Sequence, residues 1–335
     1  MNKLIINTKN LIHNVKAIKA KLGNKLFCAV VKADAYGHGV ENIVPFIDEY
    51  VDYYAVASVK EGISLRALTN KNILVLGAFE TCEIELAYAC DLSLSIYSDL
   101  SLKRLIKANK AVKTHIKVNT GMNRLGFSID SLEDVKRKID SSSNIILQGI
   151  YSHIYDNESN DDLEKQKQVF EKAVDIFGEN IISHLSSSGG VDKIKDFDMV
   201  RVGLSLYGYP GGKPVMSIES SVAMITKLSC GDKVGYGGTY TAKGDEYIAT
   251  IPLGYYDGLP LALSNKGYVY MKGQKCPIVG RICMDMFMCR VSKEIYAGDN
   301  VLVFWSASKW SAIKNTHEWE ILTSIKKNRL KVVFR

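Results

Sequence analysis

Lys32 stands directly behind the apolar run Phe27-Cys-Ala-Val-Val, and a turn of small residues, Ala-Asp-Ala-Tyr36-Gly-His-Gly39, follows it. A lysine carried at the end of a buried strand loses water. Its pKa falls and its amine becomes a nucleophile. Condensation with an aldehyde is the chemistry that suits such an amine. A strand-end lysine can also simply snorkel to solvent; Tyr36 and the two glycines beside it favour the chemical reading. More polar groups recur behind later apolar runs. Lys117 opens Lys-Val-Asn-Thr-Gly-Met-Asn-Arg124-Leu-Gly-Phe, Ser152-His153 closes a sixth run, Ser186-Ser-Ser188-Gly-Gly follows a seventh, and Arg201-Val-Gly203-Leu204 ends an eighth. Taken singly, His153 reads as a satisfied structural histidine and Arg201 as a surface ion pair. Four such clusters converging with Lys32 predict a site. Ser188 and the backbone N–H groups near Gly189 and Gly203 suit a phosphate. A second set of loops carries Gly235-Tyr236-Gly-Gly-Thr-Tyr240, Gly254-Tyr255-Tyr-Asp257-Gly and Gly280-Arg281-Ile-Cys-Met284-Asp285. A tyrosine between glycines usually marks a mobile hairpin, but three such loops together predict a second functional cluster.

Positioning these groups takes eight short apolar runs: Leu26–Val31, Tyr54–Val59, Ile73–Leu76, Leu92–Ile96, His115–Val118, Ile145–Tyr151, Ile181–Leu185 and Met199–Leu204. Several are rich in Val and Ile, as buried parallel strands are. Amphipathic stretches lie between them. In the first, Leu11, Val15, Ile18 and Leu22 fall at helical spacing behind Thr8, the expected N-cap. Eight strand–helix units predict an α/β fold, a (β/α)8 TIM barrel whose C-terminal strand ends carry the site. An open doubly wound sheet is the alternative. Beyond Pro210-Gly-Gly the texture changes, and five of the six prolines lie past residue 209. Runs at Tyr247–Leu253, Gly267–Met271, Cys276–Val279, Met286–Val291 and Asn300–Phe304 predict a mostly antiparallel β domain. The expected division is a barrel over 1–215, whose first few residues pair with the β domain, and the β domain over 216–335.

The chain of 335 residues has room for two domains. Hydrophobic residues at 47% and charged residues at 24% exclude disordered, collagenous and coiled-coil classes. A net charge of +7 suits anionic small ligands and does not call for nucleic acid. The basic tail Lys326, Lys327, Arg329, Lys331 and Arg335 reads as a solvated face. Seven cysteines without a Cys-x-x-Cys pair read as free thiols in a reducing compartment, with no metal site expected. No apolar stretch approaches the ~20 residues of a membrane helix, and the first residues lack a signal peptide's pattern. A cytoplasmic location is expected.

Four strings, Val31-Lys32-Ala-Asp-Ala-Tyr36-Gly-His-Gly39, Gly121-Met-Asn-Arg124-Leu-Gly, Gly235-Tyr236-Gly-Gly-Thr-Tyr240 and Gly280-Arg281-Ile-Cys-Met284-Asp285, together resemble the alanine racemase family. The resemblance spans nearly the whole chain. It implies pyridoxal 5′-phosphate (PLP) as cofactor, a (β/α)8 barrel with a C-terminal β domain, and a head-to-tail homodimer with shared active sites. By the same resemblance Lys32 would hold PLP through its amine. Tyr36, Ser188, Gly203 and Leu204 would surround the phosphate, and Arg201 would meet the pyridine nitrogen. Tyr236 would be the second catalytic base, reaching in from the other subunit with His153 behind it. Arg124 would sit near the PLP phenolic oxygen and the substrate carboxylate. Tyr255 and Met284 would line the entrance from the partner side. Lys117 matches a lysine that is carbamylated in some relatives, while Asn119 and Asn123 depart from the Asp and Gly expected there. PLP acidifies the substrate Cα–H bond. Inverting that centre needs a base on each face, here Lys32 and Tyr236. A fixed charge on Arg201 would disfavour protonation of the ring nitrogen and so restrain transamination.

Asn328-Arg329 falls where ordinary members of the family carry a tyrosine and an arginine. Asparagine is smaller and offers both donor and acceptor, so it leaves room for a β-hydroxyl. In this the chain looks like the racemase domain of the serine/alanine racemases of D-serine-type glycopeptide (vancomycin) resistance. That likeness implies interconversion of L- and D-serine, with alanine also accepted, to supply D-amino acid for peptidoglycan precursors. It also implies a membrane part preceding this chain, which would then be a cytosolic domain. The alternative is a housekeeping alanine racemase in which Asn328 is incidental. A PLP-dependent decarboxylase and a non-catalytic PLP-binding protein are further readings. The Gly-Tyr236-Gly-Gly string argues against the first and the β domain against the second.

Overall fold

The computed structural model describes residues 2–156, 158–178, 180–188 and 196–335. Among them the chain divides into two compact units, one of Ile12–Ala35 and Gly39–Leu206, the other of Met1–Leu11, Tyr36–His38 and Tyr207–Arg335. Strand β1 (Lys3–Ile6) leads into helix α1 (Thr8–Leu22). Leu11, Val15, Ile18 and Leu22 are buried on one face of α1, as their spacing predicts. The cap differs from expectation. Asn10 N–H donates to Asn7 Oδ1 at 2.9 Å, so Asn7 caps the helix and Thr8 is its first residue. Thr8 instead donates its hydroxyl to Arg335 O at 3.0 Å. Asparagine is at least as good an N-cap as threonine, and here it takes the place.

In the first unit β2 (Leu26–Val30), β3 (Tyr53–Val56), β4 (Asn72–Val75), β5 (Leu92–Ile96), β6 (Val112–Lys117), β7 (Ile145–Tyr151), β8 (Ile182–His184) and β9 (Met199–Val202) form one sheet in the order β8-β7-β6-β5-β4-β3-β2-β9. Every pairing is parallel. The sheet ends meet where Asp198 N–H donates to Ser183 O (3.0 Å) and Arg201 N–H to Ser186 O (3.2 Å). The result is a nearly closed parallel barrel rather than an open doubly wound sheet. β3 and β5 are buried at every position, so β3 reads as an unbroken apolar run, while β5 buries Ser93 and Ser95 between its apolar residues. Two runs end two or more residues earlier than expected. β3 stops at Val56 because Ser58 caps the helix Val59–Arg66, its hydroxyl accepting Glu61 N–H at 3.2 Å. β9 stops at Val202, and a 3-10 turn begins at Leu204.

The second unit is built on a nine-stranded sheet. Its strands are β1, β10 (Met216–Ser221), β11 (Met224–Leu228), β14 (Glu246–Ile251), β15 (Tyr268–Met271), β16 (Gln274–Val279), β17 (Phe287–Val291), β18 (Asn300–Phe304) and β19 (Lys331–Phe334). The order is β11-β14-β17-β16-β15-β18-β10-β1-β19, with β12 (Lys233–Val234) and β13 (Tyr240–Thr241) as a separate pair. All neighbours run antiparallel except β1 and β19, which are parallel. Among the described residues no helix is long and apolar enough to cross a membrane.

Candidate active site

Lys32 lies just past the end of β2, half-buried, at the head of a turn that no ordinary L-residue sequence favours. Ala33, Asp34, Ala35 and Tyr36 all have positive φ, between 51° and 55°, a full left-handed turn built without glycine. Each such residue costs about 1–2 kcal/mol. Hydrogen bonds at both ends of the turn offset that cost. Ala33 N–H donates to Glu61 Oε1 (3.0 Å), Ala35 N–H to Val31 O (2.8 Å), and Val40 N–H to Asp34 Oδ1 (2.8 Å). Burial depresses the Lys32 amine, the Arg124 guanidinium depresses it further, and the Glu61 carboxylate opposes both.

Lys117, at the end of β6, is also buried. Burial, then Arg124, Arg201 and Lys32, push its amine down to about 8. Its Nζ stands 5.4 Å over the Tyr151 ring, and the Arg201 guanidinium stands 5.2 Å over the same ring. Tyr151 is thus a π platform shared by two cations, a contact worth about 0.5–2 kcal/mol each. Its hydroxyl pairs with Ser95 Oγ at 2.8 Å. His153 follows β7. Burial and the charges of Arg201, Lys117, Arg124 and Lys32 push its pKa down to about 3, so its ring is neutral.

Arg201 is buried within β9 and donates only to neutral acceptors: Nη1 to His184 Nδ1 (2.6 Å) and His184 O (2.8 Å), Nη2 to Ser152 O (2.5 Å) and Leu185 O (3.5 Å). Arginine can only donate, so His184 Nδ1 accepts and its proton sits on Nε2. That nitrogen then donates to His115 Nδ1 at 2.9 Å. Both histidines are held neutral, first by burial and then by the Arg201 charge. Among the described residues no carboxylate hydrogen-bonds to Arg201, whose charge burial disfavours.

The loop after β6 explains its two departures from the family pattern. Asn119 Oδ1 accepts Gly121 N–H (3.1 Å) and Asn123 N–H (3.0 Å), and its amide donates to Asn123 Oδ1 (2.9 Å). Asn123 adopts φ +54°, the left-handed region, where asparagine is the best substitute for glycine. Arg124 follows it, exposed. Ser188 Oγ accepts Gly203 N–H at 3.0 Å, which commits that N–H within the chain and leaves the serine proton to donate. Leu204 is half-buried at the start of its turn. Gly189 lies outside the described residues.

In the second unit Tyr36 packs its ring 5.2 Å from Tyr207, and burial raises its phenol to about 12, so it is a donor. Tyr236 follows Gly235 (φ +70°) and is 71% exposed. Tyr255 and Met284 are exposed on facing loops, joined by Tyr255 N–H to Cys283 O (3.0 Å) and Tyr256 N–H to Met284 O (3.1 Å). Gly254 makes that approach possible: a Cβ there would lie 2.2 Å from Met284 O. Asn328 is exposed on the turn Lys327–Arg329. Its neighbour Arg329 reaches buried Asp257 (Nε to Oδ1, 3.3 Å) and Asp285 (Nη1 to Oδ1, 2.6 Å), and so ties down both loops.

Sequence reasoning had not singled out Tyr151, His184, His115 or Glu61. The Ser58-x-x-Glu61 spacing was a signal for the last. The donor set fits a phosphorylated, acidic ligand. Lys32, Lys117, Arg124 and Arg201 are close enough to perturb one another or His153, with Glu61 the one carboxylate acting on Lys32. The buried Ser186 Oγ has no partner among the described residues.

A parallel barrel that carries a desolvated lysine among anion-seeking cations defines a class: enzymes that hold a phosphorylated aldehyde on a lysine. The family model of the alanine racemase N-terminal domain matches residues 6–210, and that of the C-terminal domain residues 215–334. An alanine racemase of Francisella philomiragia is 37% identical over 306 residues, 85% of this chain and 84% of that protein. The solved alanine racemase of Clostridium difficile 630 superposes with a TM-score of 0.93 at 31% identity, over 100% of this chain and 95% of the other. That of Bartonella henselae, solved with covalently bound pyridoxal phosphate, gives 0.91 at 28% identity, over 100% and 99%. The chain belongs to the alanine racemase family. It is an amino-acid racemase, an isomerase, and its cofactor is PLP.

Proposed function

We propose that this enzyme interconverts L- and D-alanine as a homodimer with shared active sites. The observation that carries the reading is the cluster of Lys32, Lys117, Arg124 and Arg201 at the barrel's strand ends, with neutral His153 among them. Lys32 would bear PLP on its amine. Bound there, PLP draws electrons from the substrate Cα and acidifies its Cα–H bond. Tyr36 and Ser188 would donate to the phosphate, with Gly203 and Leu204 shaping its seat. Arg201, charged and fixed by His184, would face the ring nitrogen and keep a proton off it. Arg124 would take the substrate carboxylate. Lys32 Nζ would hold the proton on one face, and the Tyr236 phenol, presented by a second chain, would hold it on the other. Tyr255 and Met284 would line the entrance.

Serine as the main substrate, expected from Asn328, is not the reading favoured here. The relatives are named alanine racemases, and neither they nor the geometry lends support to the glycopeptide-resistance subtype. A serine side activity rests on Asn328 alone, whose neighbour Arg329 anchors it beside the Tyr255 and Met284 loops. Initial rates on L-alanine and L-serine decide between the two. We expect alanine to be preferred by about tenfold to a hundredfold, and Asn328→Tyr to widen that ratio by a few-fold. Faster turnover of L-serine would replace the proposal with the serine reading.

A further inference from the structure

Ser58-Val-Lys-Glu61 has the spacing of a capping box, in which the serine takes the glutamate's N–H and the carboxylate returns to the serine's N–H. Only half of it forms. Ser58 Oγ accepts Glu61 N–H at 3.2 Å, but Glu61 Oε2 accepts from Ala57 N–H (2.7 Å) and Oε1 reaches across to Ala33 N–H (3.0 Å). Ala33 is the first of the four left-handed residues behind Lys32. A helix cap has been diverted to the entrance of the most strained backbone in the unit. The groups that act on Lys32 or feel its charge are Glu61, Arg124, Lys117 and His153, and of these only Glu61 is negative.

We propose that Glu61 is a positioning residue for the Lys32 amine: it clamps, through Ala33 N–H, the left-handed turn that aims the side chain, and it stands as the counter-charge to it. The inference rests on the reading of Lys32 as the lysine that bears PLP, so the experiment separates the two. Borohydride reduction of the wild-type holoenzyme and peptide mapping locate the modified lysine. A label on any residue other than Lys32 overturns the site reading and this inference with it.

With the label on Lys32, three variants are compared: Glu61→Gln, Glu61→Ala and Glu61→Asp. The readouts are the pH midpoint of Lys32 reductive methylation in PLP-depleted protein, the dissociation constant of added PLP, and the thermal midpoint. Removing the negative charge favours the neutral amine, so the methylation midpoint should fall by about one pH unit or more in the Gln and Ala variants. PLP binding should weaken about tenfold or more in the Ala variant, with the Ala33 and Ala57 N–H groups both left without this acceptor. The Asp variant keeps the charge but is too short to hold both N–H groups; it should keep the midpoint and still lose PLP affinity. An unmoved methylation midpoint in Glu61→Gln, with the thermal midpoint lowered, would mean a structural cap only and would overturn the proposal.

Discussion

Arg201 and Lys117 are 4% and 6% exposed, whereas Tyr236 and Met284 are 71% and 51% exposed. The first pair belongs to the barrel unit and is already desolvated, fixed by His184, by backbone carbonyls and by the Tyr151 ring. Its charges are repelled from one another before any ligand arrives, and an anion relieves that repulsion. The second pair belongs to the β unit and stands on glycine-rich loops with large side chains in water. Exposed aromatic and methionine side chains of this kind are the composition of a protein contact. One unit buries its charged groups on its own. The other leaves large side chains in water, where a second chain would meet them if the proposed shared site holds.

Three experiments would break or sharpen this contrast. The largest effect should come from pairing one residue of each kind. Lys32→Ala and Tyr236→Phe should each lower racemisation by about 10³–10⁴-fold. If the sites are shared between subunits, mixing and re-associating the two inactive proteins should restore about a quarter of wild-type activity, because half the dimers carry one intact site. No recovery, with dimer exchange verified by mass, would place both residues in one chain's site. A smaller effect should follow Gly254→Ala. Its Cβ would meet Met284 O at 2.2 Å and Cys283 O at 2.4 Å. We expect about 2–4 kcal/mol of lost stability by denaturant titration and a raised KM, while the visible absorption of PLP on Lys32 persists.

The smallest effect is a slope with pH. Lys117 is pushed down to about 8 in the fold, first by burial, from roughly 10.4 in the unfolded chain. A lysine pKa lowered by folding means that the unfolded chain holds more protons between those values. The penalty is complete below the folded pKa and disappears above the unfolded one, so stability rises with pH across that window. The thermal midpoint of PLP-depleted protein should therefore gain between about pH 8 and 10 relative to Lys117→Met. Equal slopes would remove the claim that this lysine is strained by its neighbours.

The same contrast governs what could be read from the chain alone. Most barrel runs were legible because much of each strand is buried on both faces, which favours apolar residues along it. Strands β10 and β11 were not, because β10 carries Ser217, Glu219, Ser220 and Ser221 among only two apolar residues and β11 is a half-exposed edge. Lys32 was legible because its signal is local: an apolar strand, then a turn. Glu61 was not, because its meaning depends on a left-handed turn contributed 25 or more residues earlier, and nothing in Ala-Asp-Ala-Tyr announces positive φ. Likewise His115 on β6 and His184 at the end of β8 gain significance only from Arg201 on β9, a strand remote in sequence. Asn123 shows the opposite case: a departure from pattern that conserves the backbone requirement behind it.

The parallel pairing of β1 with β19 sets Lys3 opposite Lys331 and Ile6 opposite Phe334. During synthesis at about 5–20 residues per second, β1 emerges from the ribosome roughly 15–70 s before the strand β19 that pairs along one of its edges. The barrel can close in that interval, since all its strands precede residue 203. Strand β1 must meanwhile wait without its parallel partner.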